Sequence, residues 1–305
     1  MLWYILPSLA LGWGLGANDS ANVFGPSVAN GIVPYRWAII IAAVFIVIGS
    51  VLGGAAGLQT IGSLSSGSLF EAAISILGGA ISVAIMTYFG LPVSTSQAVV
   101  GGIVGIGLLK GSVNWAVLLK IVICWVTTPL GAMGIGFLLY KIVAPWFSRI
   151  KSLKLQDRII TAAAWFIGAY GAFALGANNV ANVTGALVGK LLNVQQAALI
   201  GGLSIAIGTL TFSKRVMLTV GKRIIELDHF SSLISIFAES ITVWVYSIIG
   251  VPVSTSQAVV GGVLGAGLAR GTSLANRGML YRIFFGWIGT PVIAGLVALG
   301  LYLIL

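Results

Sequence analysis

Two short polar strings stand inside otherwise apolar sequence, and each is written twice. Ser94, Thr95, Ser96 and Gln97 recur as Ser254, Thr255, Ser256 and Gln257; Asn18, Asp19 and Asn22 recur as Asn178, Asn179 and Asn182. One offset of 160 positions joins both pairs. Each hydroxyl string follows a Gly-x-Pro and opens an apolar run, so it reads as the start of a helix with serine as its N-cap. Hydroxyls and free backbone N–H groups then converge at a positive dipole end, an anion site in outline. Asn and Asp oxygens, with carbonyls freed at a helix break, suit a hard cation such as Na⁺. Capping or helix packing explains one such string. It does not explain the eleven-residue identity between Pro92–Gly102 and Pro252–Gly262.

Asp19 is the only acid in the signature pair, its mate being neutral Asn179. Glu239 lies in an apolar run where the first half has Gly79, and Glu71 lies near a segment end. Both are further candidates for a cation or proton site, because an acid inside a membrane is costly unless it has a task. No Lys or Arg lies near the four strings. An anion held there draws its compensation from helix ends, hydroxyls and co-bound cations. Symport of an anion with a cation follows as the natural mechanism.

The elements that position these residues must be membrane helices. Of 305 residues, 58% are hydrophobic and 7% charged, and the mean hydropathy is +1.09. A soluble chain carries about a quarter charged residues. Apolar segments run over about 2–33, 37–57, 69–89, 94–109 and 115–140, then 159–188, 194–212, 231–249, 254–269 and 278–305. A spanning helix needs roughly 20 such residues. The chain therefore divides into a first repeat (1–140), a short connection (141–158) and a second repeat (159–305). The first segment lacks the basic start of a secretory signal and is expected to be retained. GAND and GANN fall deep inside the first segment of each half, where Gly and Asn predict a helix break.

The third and fourth segments of each half are either two crossings or one re-entrant hairpin with the STS string at its tip. The crossings per half are then five or three, both odd, so the halves are expected to be inverted. Thirteen of the sixteen bases then fall on one side, leaving Lys110, Lys120 and Lys190 on the other. That asymmetry places the 141–158 connection in the cytoplasm and both termini outside. Inversion also favours the hairpin, since only tips near the midplane let both copies line one site. The expected fold is an all-α membrane protein of two inverted repeats, about five apolar segments each, with broken helices and re-entrant hairpins.

Other classes fall away. The net charge of +10 lies in loops between apolar runs and forms no aromatic-laced stripe, so no nucleic-acid partner is expected. Cys124 is the one cysteine and cannot form an intrachain disulfide, and His229 has no partner for a metal site. No nucleophile triad, P-loop or dinucleotide fingerprint points to an enzyme or an organic cofactor.

The doubled GANDSAN/GANNVAN and the doubled PVSTSQAVVGG resemble the inorganic phosphate transporter family, over essentially the whole chain. The resemblance implies import of phosphate with sodium by alternating access, across a bacterial or archaeal cytoplasmic membrane, and a homodimer. Carried onto this chain, the implied phosphate ligands are Ser94, Thr95, Ser96, Ser254, Thr255, Ser256, Asn18 and Asn178. The implied sodium ligands are Asp19, Asn22, Asn179, Asn182, Gln97 and Gln257. Many relatives have Asp in both signature copies, where this chain has Asn179, and many carry a large central insert that this chain lacks. Proton coupling, sulfate as the oxyanion, and a passive channel are the alternatives.

Overall fold

A computed structural model describes residues 2–64, 66–88, 93–223, 228–271 and 277–305, with residues 2, 219–223 and 277–284 described by backbone alone. The break expected at Gly90–Pro92, and the side chains of Lys222, Arg223, Arg277 and Arg282, lie outside the described residues. The helices are α1 (Leu6–Ala29, entered through a 3-10 turn at Leu2–Ile5), α2 (Tyr35–Gly53), α3 (Ala55–Gly62), α4 (Leu69–Tyr88), α5 (Thr95–Lys110) and α6 (Trp115–Phe147). They continue as α7 (Leu153–Thr184), α8 (Val194–Arg223), α9 (His229–Ile249), α10 (Thr255–Arg270) and α11 (Arg277–Ile304).

All ten apolar segments appear as helices, and α3 is an addition that the unbroken apolar run did not announce. Seven described helices (α2, α4, α6, α7, α8, α9 and α11) are long and apolar enough to cross a membrane. Their outer faces are apolar: Val126 is 61% exposed, Phe166 65% and Leu296 65%. Water would penalise such faces, whereas lipid accepts them. The chain is an all-α, multi-pass integral membrane protein.

The helices α5 and α10 have 16 residues each, about 24 Å at 1.5 Å per residue. Both fall short of a hydrocarbon core about 30 Å thick. Each ends in a left-handed glycine, Gly111 at φ 64° and Gly271 at φ 83°. Each packs back along the helix before it, so α4–α5 and α9–α10 form two hairpins.

Packing between the halves is reciprocal. Helix α1 lies along α8 and α2 along α7, while α5 lies along α11 and α10 along α6. At the 160-residue offset α1 corresponds to α7, α2 to α8, α5 to α10 and α6 to α11, so each contact has its exchanged counterpart. Gly101 of α5 meets α11 at the Pro291 carbonyl, and Gly261 of α10 meets α6 at the Pro129 carbonyl; a Cβ at either glycine would stand 2.2 Å from that oxygen. Pro129 and Pro291 thus mark helix crossing points.

The expected break at the signature motifs is absent. Helix α1 runs unbroken through Gly16–Asn22 and α7 through Gly176–Asn182. The glycine has a different task. A Cβ on Gly16 would stand 1.8 Å from the Ile205 carbonyl of α8, and one on Gly176 would stand 2.1 Å from the Ile46 carbonyl of α2. Each motif glycine lets two helix backbones touch, as small residues do in membranes. Within the unbroken α1, Ser20 Oγ donates back to the Gly16 carbonyl at 2.7 Å. The interruptions fall instead at Gly54, between α2 and α3, and at the 3-10 turn Gly185–Leu187 after α7.

Candidate functional site

At each hairpin tip the second helix starts from an extended serine N-cap, Ser94 or Ser254. Ser94 accepts from the Gln97 N–H and Ser254 from the Gln257 N–H, both at 3.3 Å. The capping role that the serines predicted is therefore real, and it occupies these hydroxyls as acceptors. The two tips meet. Ser96 Oγ donates to the Val253 carbonyl at 2.9 Å, across 157 residues of chain.

A cavity of about 180 Å³ opens where they meet, lined by Asp19, Val93, Thr95, Ser96, Asn179, Ser254, Thr255 and Ser256. Both STS strings and both signature motifs thus reach one place. Thr255 Oγ1 donates to Asp19 Oδ2 at 3.2 Å, and Asn18 Nδ2 donates to Asp19 Oδ1 at 3.4 Å. No Lys or Arg lines this cavity among the described residues.

The second signature forms a tighter network. Asn182 Nδ2 donates to Ser96 Oγ at 2.8 Å and to Asn179 Oδ1 at 2.9 Å. Four polar atoms of the motifs are buried without a partner among the described residues: Asn182 Oδ1 and Asn179 Nδ2 within this network, and Gln97 Oε1 and Gln257 Oε1 at the two helix starts, outside the cavity lining. A buried amide oxygen without a donor is costly, and three such oxygens offer hard donors for an alkali cation. The fourth atom is a donor on the cavity wall and suits an oxyanion.

Several expected ligands are placed otherwise. Asn178 lies outside the cavity lining, behind the second tip: its Nδ2 donates to the Val251 carbonyl at 3.3 Å, and its Oδ1 accepts from the Val253 N–H at 3.0 Å. It shapes the tip as a clamp, with both amide atoms engaged by backbone of the tip. Ser94 and Asn18 are also outside the cavity lining. Glu239 is buried in α9, accepts from Ser240 Oγ at 3.3 Å, and is absent from the lining. Glu71 is at the far end of α4 from the tip, where Ser68 N–H donates to its Oε2 at 3.0 Å in a capping box. Neither acid joins the cavity.

Trp125 was missed by sequence reasoning. Its Nε1 donates to the Pro252 carbonyl at 3.4 Å and steadies the second tip. The residue 160 positions on is Phe285, so no doubled signal marked it. Lys120, one of the three bases on the minority side, donates to the Ile249 carbonyl at 2.8 Å, at the end of α9.

The two copies differ in exposure. Asn178, Asn182 and Ser96 are each 1% exposed. Their counterparts are open: Asn18 is exposed, and Asn22 and Ser256 are half-buried. The second signature motif and Ser96 of the first STS string are sealed, whereas Asn18, Asn22 and Ser256 are accessible.

Replacing Asn178 by Ala leaves the Val253 N–H and Val251 carbonyl unpaired in a buried place, at a cost of about 1–3 kcal/mol for each group. The tip should loosen, weakening anion binding about tenfold while the helices keep their fold. Binding titrations together with circular dichroism check this.

A family model described as the phosphate transporter family matches residues 15–298. A solved structure named "The sodium-dependent phosphate transporter" aligns with a TM-score of 0.82 and 25% identity, over 99% of this chain and 98% of that one. A Pyrococcus furiosus protein with a provisional phosphate permease name is 29% identical over 388 aligned residues, covering 98% of this chain and 94% of that protein. A sulfate permease of Bacillus subtilis is 31% identical over 300 residues, covering 95% of this chain and 84% of that protein.

Proposed function

The chain belongs to the phosphate transporter family, and from that premise we propose that it is a sodium-coupled phosphate symporter working by alternating access. The observation that carries this reading is the meeting of both hairpin tips with both signature motifs around one small polar cavity. Thr95, Ser96, Thr255 and Ser256, with the Asn179 amide, receive the phosphate at two helix starts. Asp19, Asn182, Gln97 and Gln257 turn carboxylate or unpartnered amide oxygens toward sodium, and Asn22 and Asn179 complete the cation set. Because no base among the described residues lines the cavity, the anion depends on the cations beside it, which is the physical basis of coupling.

The unequal exposure of the two copies supports alternating access. The charge asymmetry of the loops places the first copy's opening, toward the C-terminal end of α1, on the cytoplasmic side. The sealed copy at Asn182 and Ser96 then faces outside, together with both termini. Exchange of the two states needs halves of inverted topology, and the reciprocal packing of α1–α8 with α2–α7 supports that arrangement. The homodimer implied by the resemblance belongs to the same proposal and is checked by cross-linking in the membrane.

Sulfate is the second reading, favoured by the Bacillus subtilis relative. The cavity argues for phosphate. Asp19 lines it, and a phosphate that carries a proton can donate to a carboxylate, whereas sulfate has no proton to give. Uptake of radiolabelled phosphate into proteoliposomes tests both points, with sodium and pH gradients imposed separately and sulfate as competitor. Uptake driven by sodium and indifferent to sulfate is expected. Uptake that follows the pH gradient alone overturns sodium coupling, and competition by equimolar sulfate overturns the substrate.

A further inference from the structure

A second cavity of about 280 Å³ lies beyond the sealed copy of the site, lined by Ile61, Glu71, Ser75, Ile103, Ile106 and Lys190 among others. Two elements link it to the buried site. On α5 the face that carries Ser96 runs through Val99 to Ile103, seven residues or about 10 Å on. After α7 the chain runs from Asn182 through Ala186, which also lines the cavity, to Lys190. Val99 and Leu187, on these two elements, share one buried apolar cluster with Ile61, the apolar plug of the path proposed below.

The cavity holds one base and one acid. Lys190 is half-buried, and its Nζ donates to the Ala186 carbonyl at 3.3 Å. Burial pulls its ammonium below the ordinary lysine range, while the Glu71 carboxylate opposes that pull. At the 160-residue offset Lys190 corresponds to Asn30 and Glu71 to Ser231. The Lys190 and Glu71 charges are thus not repeated at their own offset positions, and the start of α9 carries a different pair, Asp228 with Arg270.

We propose that this cavity is an outer docking site for the inorganic oxyanion, which Lys190 holds before the apolar plug opens toward Ser96 and Asn182. The inference rests on the reading of the chain as a phosphate importer. Glu71 limits the strength of docking, so that the anion is passed on rather than retained. A half-buried ammonium suits this task because it attracts an anion without the rigid fork of an arginine.

Substitution separates this role from a structural one, because the two charges should act in opposite directions. Lys190→Gln should raise the KM for phosphate about five- to tenfold at unchanged kcat, and Lys190→Arg should restore most of it. Glu71→Gln keeps the capping box, since glutamine serves there too, and should lower the KM about two- to threefold by removing a nearby like charge. Damage to the fold would instead lower kcat in both variants. A Lys190→Cys variant, in a chain whose other cysteine is the buried Cys124, should react with a membrane-impermeant thiol reagent from outside and be protected by phosphate. If the parent protein fails to take up phosphate, the functional reading falls. If it takes up phosphate and both charge variants keep its KM, or the cysteine reacts equally with and without phosphate, the docking site falls.

Discussion

Replacing Asp19 by Asn should lower sodium-driven phosphate uptake about 10- to 100-fold and raise the sodium concentration needed for half-maximal rate. Asp19 is 5% exposed and lines the cavity between the two tips. Asn has the same shape, and its Oδ1 still accepts from Thr255, so the fold and the tip contact survive. What disappears is the single negative charge that the signature pair supplies. A lost interaction with a charged group costs about 1.5–3 kcal/mol, and each 1.4 kcal/mol is a factor of ten in an equilibrium constant. The substitution should also relax discrimination against sulfate, because the carboxylate no longer asks for a proton on the anion. Uptake measured over a range of sodium concentrations checks this. An unchanged sodium dependence would remove Asp19 from the cation site.

Replacing Gly176 by Leu should prevent the protein from reaching its folded state. Even a Cβ at this position would lie 2.1 Å from a backbone oxygen of α2, and a whole side chain has nowhere to go without parting α2 from α7. Overpacking against side chains costs about 1–3 kcal/mol and occasionally more. Here the obstacle is backbone, so the upper end or beyond applies. Gly16→Leu should behave alike at the α1–α8 crossing. Gly14→Ala is the control on the same helix: nothing lies within 4 Å of its added Cβ, and alanine favours a helix by about 1 kcal/mol over glycine. Thermal melts and size-exclusion profiles in detergent should show loss of monodisperse protein for both leucine variants and an unchanged or higher Tm for Gly14→Ala.

These glycines also mark where sequence reading reached its limit. The doubled strings were visible, and the structure brings their STS and Asp19–Asn179 members to one cavity. The helices were visible as apolar runs, because membrane spans are set by length and composition. The partner of Gly16 was not visible. Ile205 is nearly two hundred residues away, so Gly beside Asn read as a local break when its cause was a distant backbone. Asn178 carried the same ambiguity: its amide side chain can meet a ligand or a neighbouring segment, and only the fold puts Val251 and Val253 beside it. Trp125 gave no signal because its repeat partner is Phe285. Glu71 was legible in the opposite sense, since Ser68-x-x-Glu71 is a capping box and that is where its carboxylate is found.

The claim at the centre of this account is that phosphate and sodium occupy one site and that neither is held well alone. Equilibrium binding of radiolabelled phosphate to the purified protein, in sodium and again in choline at equal ionic strength, measures it directly. The account predicts binding in sodium that falls at least tenfold in choline, with the loss matched by Gln97→Leu or Gln257→Leu in sodium. Equal phosphate affinity in sodium and in choline would contradict it.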